Sequence, residues 1–131
     1  MRQKADCVSS VVLLGLAENL VPELAQALAG KQLRVRSLPF PGPASLSSVI
    51  EGLDAEVVFC AAEPTQYTSV LEAIGHQKPR IRLVVVSRQP EVAEWIEALE
   101  AGAWDYCAPP FDSTQLSWIL ASALGSRCAS A

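Results

Sequence analysis

The sequence ALEAGAWDYCAPPF at residues 98–111 joins the end of a helical pattern to a short strand and a proline pair. Gly102 follows the helical pattern at the position where many helices end in a left-handed residue. A short strand is predicted around Asp105 to Ala108. Pro109 and Pro110 then end it, because proline donates no backbone hydrogen bond to a sheet. This order predicts the last helix-to-strand connection of an alternating α/β domain.

The segments on either side of this stretch continue the alternation. Upstream, Leu83–Val86 predicts a buried strand rich in branched residues, and Pro90 fits the first position of the following helix. The apolar stripe of that fourth helix is predicted to face the core and consists of Val92, Trp95, Ile96 and Leu99. Downstream, Asp112 and Gln115 have the spacing of a capping box and open the fifth helix. Its predicted inward residues are Leu116, Ile119, Leu120, Ala123 and Leu124.

The first half of the chain has three more strand-helix units. The predicted strands cover 11–16, 33–38 and 56–61, and the predicted helices centre on Leu20–Leu28, on Leu46–Leu53 and on Val70–Ile74. Asn19 stands where a side-chain cap of the first helix would lie. The strand at 33–38 alternates apolar and polar residues, which is typical of an edge strand with one wet face. Five units in strict alternation predict a parallel sheet with helices on both sides.

Composition limits the class of protein. The chain has 131 residues, of which 50% are hydrophobic and 18% are charged, which predicts one domain over 1–131 with a core of about 10–125. The tail at 126–131 is expected to fray or to lead into a further domain. The formal charge of −4 argues against binding of nucleic acid or of an anionic membrane by this segment. The apolar runs are too short for a signal peptide or a membrane span, so we expect a cytoplasmic domain.

The cysteines predict reduced thiols. Cys7, Cys60, Cys107 and Cys128 form no CxxC pair, and His76 is the single histidine. This set lacks the ligand spacing of a metal site, and no acid–base pair or activated nucleophile stands out. We therefore expect no metal, no cofactor and no enzymatic activity.

The stretch Ala98–Tyr106 followed by Pro110–Phe111 resembles the closing half of response-regulator receiver domains. The resemblance covers nearly the whole chain, since Glu18–Val21 after the first strand, Pro64 after the third and Ser87 at the end of the fourth stand at family landmarks. It implies a flavodoxin-like, doubly wound α/β fold with five parallel strands in the order 2-1-3-4-5. It also implies a regulatory role in bacterial two-component or phosphorelay signalling.

The family's phosphorylation residues are replaced in this sequence. The acidic pair that holds magnesium aligns with Leu16 and Ala17, which leaves Glu18 as a residual carboxylate. The phosphoacceptor aspartate aligns with either Cys60 or Ala61, and neither is a carboxylate. The resemblance therefore implies a receiver-like domain without a metal site or an acceptor.

Three further family positions are recognisable. The lysine that pairs with the phosphoryl group aligns with Pro109, which carries no charge, and the resemblance implies a cis bond between Pro109 and Pro110. Ser87 matches the switch hydroxyl and also suits a turn or cap before the fourth helix. Tyr106 matches the aromatic switch. Loss of the pair, the acceptor and the lysine together predicts a degenerate receiver that is not phosphorylated.

Aromatic residues near the end of the chain are the candidate interface. Trp104 is either an exposed anchor beside Tyr106 or a filler of the space left by the missing site. Trp95 falls on the predicted core stripe, whereas Trp118 falls beside the inward line of the fifth helix and is the better surface candidate. We expect a protein partner, a second copy or an attached output domain to bind the face of helix four, strand five and helix five.

Two alternatives remain open at this stage. A small-ligand or redox sensor would use the crevice at the carboxyl ends of the strands, with Cys60, Ser87 and the small residues Ala17, Ala61 and Ala62. A phosphorylated receiver would need a displaced acceptor, such as Glu63 or Ser87, and is the least favoured reading.

Overall fold

A computed structural model describes residues 9–89 and 91–124 of the chain. Five strands and five helices alternate along these residues. The strands are β1 (Ser9–Leu14), β2 (Leu33–Leu38), β3 (Val57–Ala61), β4 (Arg82–Val86) and β5 (Asp105–Cys107). The helices are α1 (Leu20–Leu28), α2 (Pro43–Glu51), α3 (Pro64–Gln77), α4 (Val92–Ala101) and α5 (Ser113–Leu124). Pro90 and the tail at 126–131 lie outside the described residues, as do Cys7 and Cys128.

The five strands form one parallel sheet in the order β2-β1-β3-β4-β5. Leu14 pairs with Cys60 and Cys60 with Val85, so the carboxyl ends of the three central strands reach the same edge of the sheet. This order and the strict alternation confirm the predicted α/β, doubly wound fold.

Helices cover both faces of the sheet. Because side chains of a strand alternate between faces, Val12 and Leu14 pack under α2, α3 and α4, while Val11 and Leu13 pack under α1 and α5. Val57, Val58 and Phe59 of β3 are completely buried. Coverage on both faces explains why the central strands are continuous apolar runs.

The strand β2 is an edge strand, as its alternating sequence predicts. Leu33 and Val35 are half-buried against the α1 and α5 layer, whereas Arg34 and Arg36 are exposed. Charged side chains on an edge strand discourage pairing with another sheet. At the opposite edge, β5 has only three residues.

The core stripe predicted for the fourth helix is wrong. Val92 is 65% exposed, Ile96 49%, Trp95 44% and Leu99 38%. The buried residue of α4 is Ala98, and Glu94, one turn earlier, is half-buried. The spacing correctly indicates an apolar helix face, but periodicity does not reveal whether the rest of the same domain covers that face.

The helix caps agree only in part with the sequence. Asp112 accepts a 2.7 Å hydrogen bond from the Thr114 backbone N–H and caps α5, as predicted. Asn19 precedes α1 in a helical conformation, and its side chain makes no capping hydrogen bond.

Cys60 and Cys107 are free and buried, which agrees with the expected reduced thiols. None of the described helices is long and apolar enough to cross a bilayer.

Candidate functional site

A cleft of about 500 Å³ opens at the carboxyl ends of β1, β3 and β4. Its described lining residues are Gly15, Ala17, Leu20, Ala61, Ala62, Glu63, Gln66, Val86, Ser87, Arg88, Gln89, Glu91 and Glu94. This is the edge where parallel α/β sheets bind their ligands, because the loops leaving the central strands diverge there.

The turn after β1 gives the cleft its first wall. Gly15 has φ +70°, and a Cβ at this position would lie 3.0 Å from the Cβ of Phe40. Its N–H donates a 2.8 Å hydrogen bond to the carbonyl of Leu38, so the turn is fixed against the end of β2. The glycine therefore lets the chain turn close to β2 and place Ala17 in the cleft wall.

The residues at the expected magnesium position do not suit that ion. Ala17 lines the cleft, Leu16 packs against the α1 and α5 layer, and Glu18 is exposed. Mg²⁺ requires a compact set of oxygen ligands, and alanine and leucine side chains supply none. Within residues 9–89 and 91–124, no three His, Cys, Asp or Glu side chains are grouped so that they could hold a metal ion. The donor set of this cleft therefore does not fit magnesium.

The end of β3 brings Ala61, rather than Cys60, to the cleft. Cys60 is completely buried in the layer under α2, α3 and α4, whereas Ala61 is half-buried and lines the cleft. Burial raises the pKa of the Cys60 thiol to about 12 and outweighs the hydrogen bond with the Ala61 backbone, which lowers it. The thiol is protonated at neutral pH, and the residue facing the cleft has no nucleophilic group.

Ser87 is held within the loop after β4. It is 4% exposed, and its backbone N–H donates a 2.9 Å hydrogen bond to the carbonyl of Cys107. The hydroxyl donates to the carbonyl of Gln89 at 2.8 Å and accepts from the Gln89 N–H at 3.3 Å. These contacts match the turn role that the sequence offered for Ser87.

Tyr106 lies with its ring in the core and its hydroxyl at the loop before α4. The hydroxyl donates a 2.9 Å hydrogen bond to Oε1 of Glu94 and accepts one of 3.3 Å from the Glu91 N–H. Burial is the main cause that raises the pKa of Tyr106 above its ordinary value. The sequence singled out Tyr106 but gave no sign that Glu94, on an otherwise solvent-facing helix, would be its partner.

The cleft has few positively charged side chains. Pro109 is not among the cleft-lining residues, and its peptide bond with Pro110 is cis, as the resemblance implies. Among the described lining residues, Arg88 alone carries a positive charge, and it is exposed. Sequence reasoning passed over Arg88 because one arginine after a strand has no distinguishing spacing.

Trp104 is partly exposed and is not among the described cleft-lining residues, so it does not fill the space left by the missing site. Its side chain is 40% exposed, its indole N–H donates a 2.8 Å hydrogen bond to Oγ of Ser122 on α5, and the Arg82 guanidinium lies 4.7 Å from the ring centroid. It is therefore fixed in orientation and still accessible. Trp118 is 74% exposed, which confirms it as a surface residue.

The described structure resembles solved receiver domains. A response regulator from Thermotoga maritima superposes with a TM-score of 0.74 and 18% identity over 91% of this chain and 99% of that one. The receiver domain of a sensor histidine kinase from Pseudomonas aeruginosa gives 0.72 and 18% over 92% and 100%. This chain has the receiver fold. Neither a protein-family model nor a curated protein sequence matches it.

A third similar structure is that of a pilus assembly protein. The pilus assembly protein CpaE from Caulobacter crescentus superposes with a TM-score of 0.65 and 12% identity over 87% of this chain and 92% of that one. The Pseudomonas receiver domain holds a magnesium ion in its active-site cleft. In this chain, Ala17 after β1 and Ala61 at the end of β3 line the cleft.

Proposed function

We propose that this chain is a cytoplasmic, receiver-like regulatory domain of a bacterial signalling protein that accepts no phosphoryl group and acts through protein contacts. The observation that carries the proposal is the alanine lining of the cleft at the ends of β1 and β3. Phosphoryl transfer needs a nucleophile and a metal or cationic groups that stabilise the developing charge. Ala17, Ala61 and Pro109 supply none of these.

Intact mass spectrometry tests the first half of the proposal. The chain is incubated with acetyl phosphate and magnesium beside a receiver that is known to accept phosphate. We expect an unchanged mass for this chain and a gain of one phosphoryl group for the control. A gain of one phosphoryl group by this chain would overturn the proposal, and peptide mapping would identify the displaced acceptor, with Glu63 and Ser87 as the residues to inspect first.

The surface formed by α4, β5 and α5 supports the second half. The large apolar side chains that are exposed in the described structure all lie on it, namely Val92, Trp95, Ile96, Leu99, Trp104 and Trp118. Soluble monomers rarely expose so many large apolar groups together, and such patches mark interaction sites. The fold likeness to CpaE, a pilus assembly protein, is compatible with a receiver fold that works as a docking domain.

Site-specific photo-crosslinking in cells tests the surface. A photoreactive phenylalanine analogue replaces Ile96 or Trp118 in one set of variants and Glu23 of α1 in the matched control. Both sets of positions are exposed, so access of the probe is comparable. We expect a discrete crosslinked protein from the first set and none from the control. Equal products from both sets, or none from either, would argue against an interaction role for this surface.

A small-ligand sensor in the cleft is the second candidate, and the cleft volume favours it. About 500 Å³ lies within the range of small-molecule sites. Arg88 offers a contact for an anionic ligand, whereas buried Cys60 offers none for a redox signal. A thermal-shift screen with small anionic metabolites tests this role. Stabilisation of the wild type that Arg88→Ala removes would support it, and no stabilisation by any compound would discard it.

A further inference from the structure

Charge is distributed unevenly along the chain. Residues 91–124 form α4, β5 and α5 and contain no Lys or Arg. Their acidic residues are Glu91, Glu94, Glu97, Glu100, Asp105 and Asp112. All ten Lys and Arg residues therefore lie elsewhere, with the remaining eight of the fourteen acidic residues. The segment carries six negative charges, whereas the rest of the chain has a net charge of +2.

The same segment carries the exposed apolar residues. Val92, Trp95, Ile96 and Leu99 have the i, i+3, i+4, i+7 spacing of one helix face, and we call these four residues the α4 ridge. Glu97 follows Ile96 and Glu100 follows Leu99 along the helix, and both glutamates are exposed. An apolar ridge bordered by carboxylates favours a partner surface that is apolar at its centre and basic at its margin.

A second copy of the chain does not meet this requirement. In a twofold symmetric dimer each patch faces its own copy. Exposed Glu97 and Glu100 beside each α4 ridge would then approach the same carboxylates of the copy. Residues 91–124 contain no Lys or Arg to pair with them, and the Arg82 guanidinium already lies over the Trp104 ring. Like charges across an interface weaken association and select against the wrong partner.

The geometry of the edge favours a helix over a strand as the partner segment. A bound strand would have to extend β5, which offers only three residues for backbone pairing. A helix instead packs its own side-chain ridge along the α4 ridge, and amphipathic helices bind through anchors with this same spacing.

We infer that the face of α4, β5 and α5 binds a basic amphipathic helix of a partner protein. The apolar side of that helix lies on the α4 ridge with Trp104 and Trp118 at its margins, and its Lys and Arg residues face the exposed carboxylates of Glu97 and Glu100. This inference rests on the proposed interaction role and adds the chemical class of the partner.

Three synthetic peptides of about 18 residues, enough for about five helical turns, probe the inference. The first places Leu on one helix face and Lys on the other, the second replaces every Lys with Glu, and the third scrambles the first. Each is labelled and titrated with the 131-residue chain by fluorescence anisotropy. We expect the Leu/Lys helix to bind about tenfold more tightly than the scrambled peptide and no binding of the Leu/Glu helix.

Charge-reversal variants locate the contact. Glu97→Lys/Glu100→Lys changes two exposed residues of α4, and Glu23→Lys/Glu51→Lys makes the same change of net charge on α1 and α2. We expect the first pair to weaken binding of the Leu/Lys helix about tenfold and the control pair to change it by less than about twofold. Amide chemical shifts of the wild type should move in α4 and β5 on titration. Equal losses in both variants, or shifts confined to other elements, would overturn the inference.

The outcomes separate this inference from the proposed function. Sedimentation of the chain without peptide should show a monomer. A dimer that Ile96→Glu dissociates would leave the interaction surface intact and would overturn the basic-helix partner. Failure of the Leu/Lys helix to bind, together with a crosslinked product at Ile96 in cells, would likewise overturn only the partner class.

Discussion

The hydroxyl of Tyr106 donates a 2.9 Å hydrogen bond to Oε1 of Glu94, and this bond ties β5 to α4. Ala98 is the buried residue of α4, and the larger apolar residues of the helix are 38% to 65% exposed, so it has less apolar burial to hold it than a helix with a buried stripe. A side-chain bond to a carboxylate therefore contributes more to the position of α4 than it would for a helix with a buried stripe.

Replacing Tyr106 by Phe should loosen α4. The variant loses the hydrogen bond to the Glu94 carboxylate and the acceptor of the Glu91 N–H, so we expect the free energy of unfolding to fall by about 1–2 kcal/mol. Amide hydrogen exchange should become faster in the loop before α4 and in its first turn. Glu94→Gln retains an acceptor and serves as the control, with a smaller effect on both readouts. Unchanged exchange in Tyr106→Phe would show that packing alone positions the helix.

Carboxylates introduced into the cleft should create the metal response that the wild type lacks. Ala17 and Ala61 line the same cleft, so Ala17→Asp/Ala61→Asp places two carboxylates where they repel each other without a cation. We expect magnesium to raise the Tm of this variant by a few degrees, about the gain given by moderate ligand saturation, and to leave the wild type unchanged. Ala17→Asn/Ala61→Asn has similar side-chain size without charge and should not respond. An equal rise in the wild type would contradict the assignment of the cleft as unsuited to magnesium.

The buried thiols should make the free energy of unfolding depend on pH in the alkaline range. Burial is the main cause that raises the pKa of both Cys60 and Cys107 from the ordinary value of 9.0 to about 12. Between these values the folded chain holds protons that the unfolded chain releases, so stability falls as pH rises from about 9 towards 12. Urea unfolding across this range should show the decline, and Cys60→Ala/Cys107→Ala should reduce its slope. Burial also raises the pKa of Tyr67 and Tyr106, so part of the slope should remain.

Alkylation provides an independent measurement on the same thiols. Iodoacetamide reacts with thiolates, and a thiol with a pKa of about 12 is almost fully protonated at neutral pH. Peptide mapping should find Cys60 and Cys107 unmodified in the folded chain and modified after unfolding in urea. Rapid labelling of Cys60 in the folded state would instead favour a redox role for the cleft.

The sequence predicts the sheet of this chain better than it predicts the surface. The alternation of strands and helices is confirmed, because branched apolar runs, glycine and proline are local signals with direct structural meaning. The strand order, which the family resemblance implies, is also confirmed, as is the exposure of Trp118, which follows from its place beside the inward line of its helix. The sequence could not show whether Cys60 or Ala61 faces the cleft, because this depends on the strand register. A shift of one residue would move a side chain from the cleft to the core. The environment of α4 could not be predicted, because its spacing is the same whether the rest of the domain or a partner covers it.

The exposure of the α4 ridge can be tested with one pair of matched substitutions. Ile96 of α4 is 49% exposed and Ile74 of α3 is 4% exposed, and both lie within helices. Ile96→Ser removes little buried surface, so we expect it to change the free energy of unfolding by about 0.5 kcal/mol or less. Ile74→Ser leaves a cavity and a buried hydroxyl, and should cost about 3 kcal/mol or more. Urea unfolding of the two variants beside the wild type measures both values. Equal costs would mean that Ile96 is buried in the isolated chain, so the ridge would be unable to serve as a docking surface.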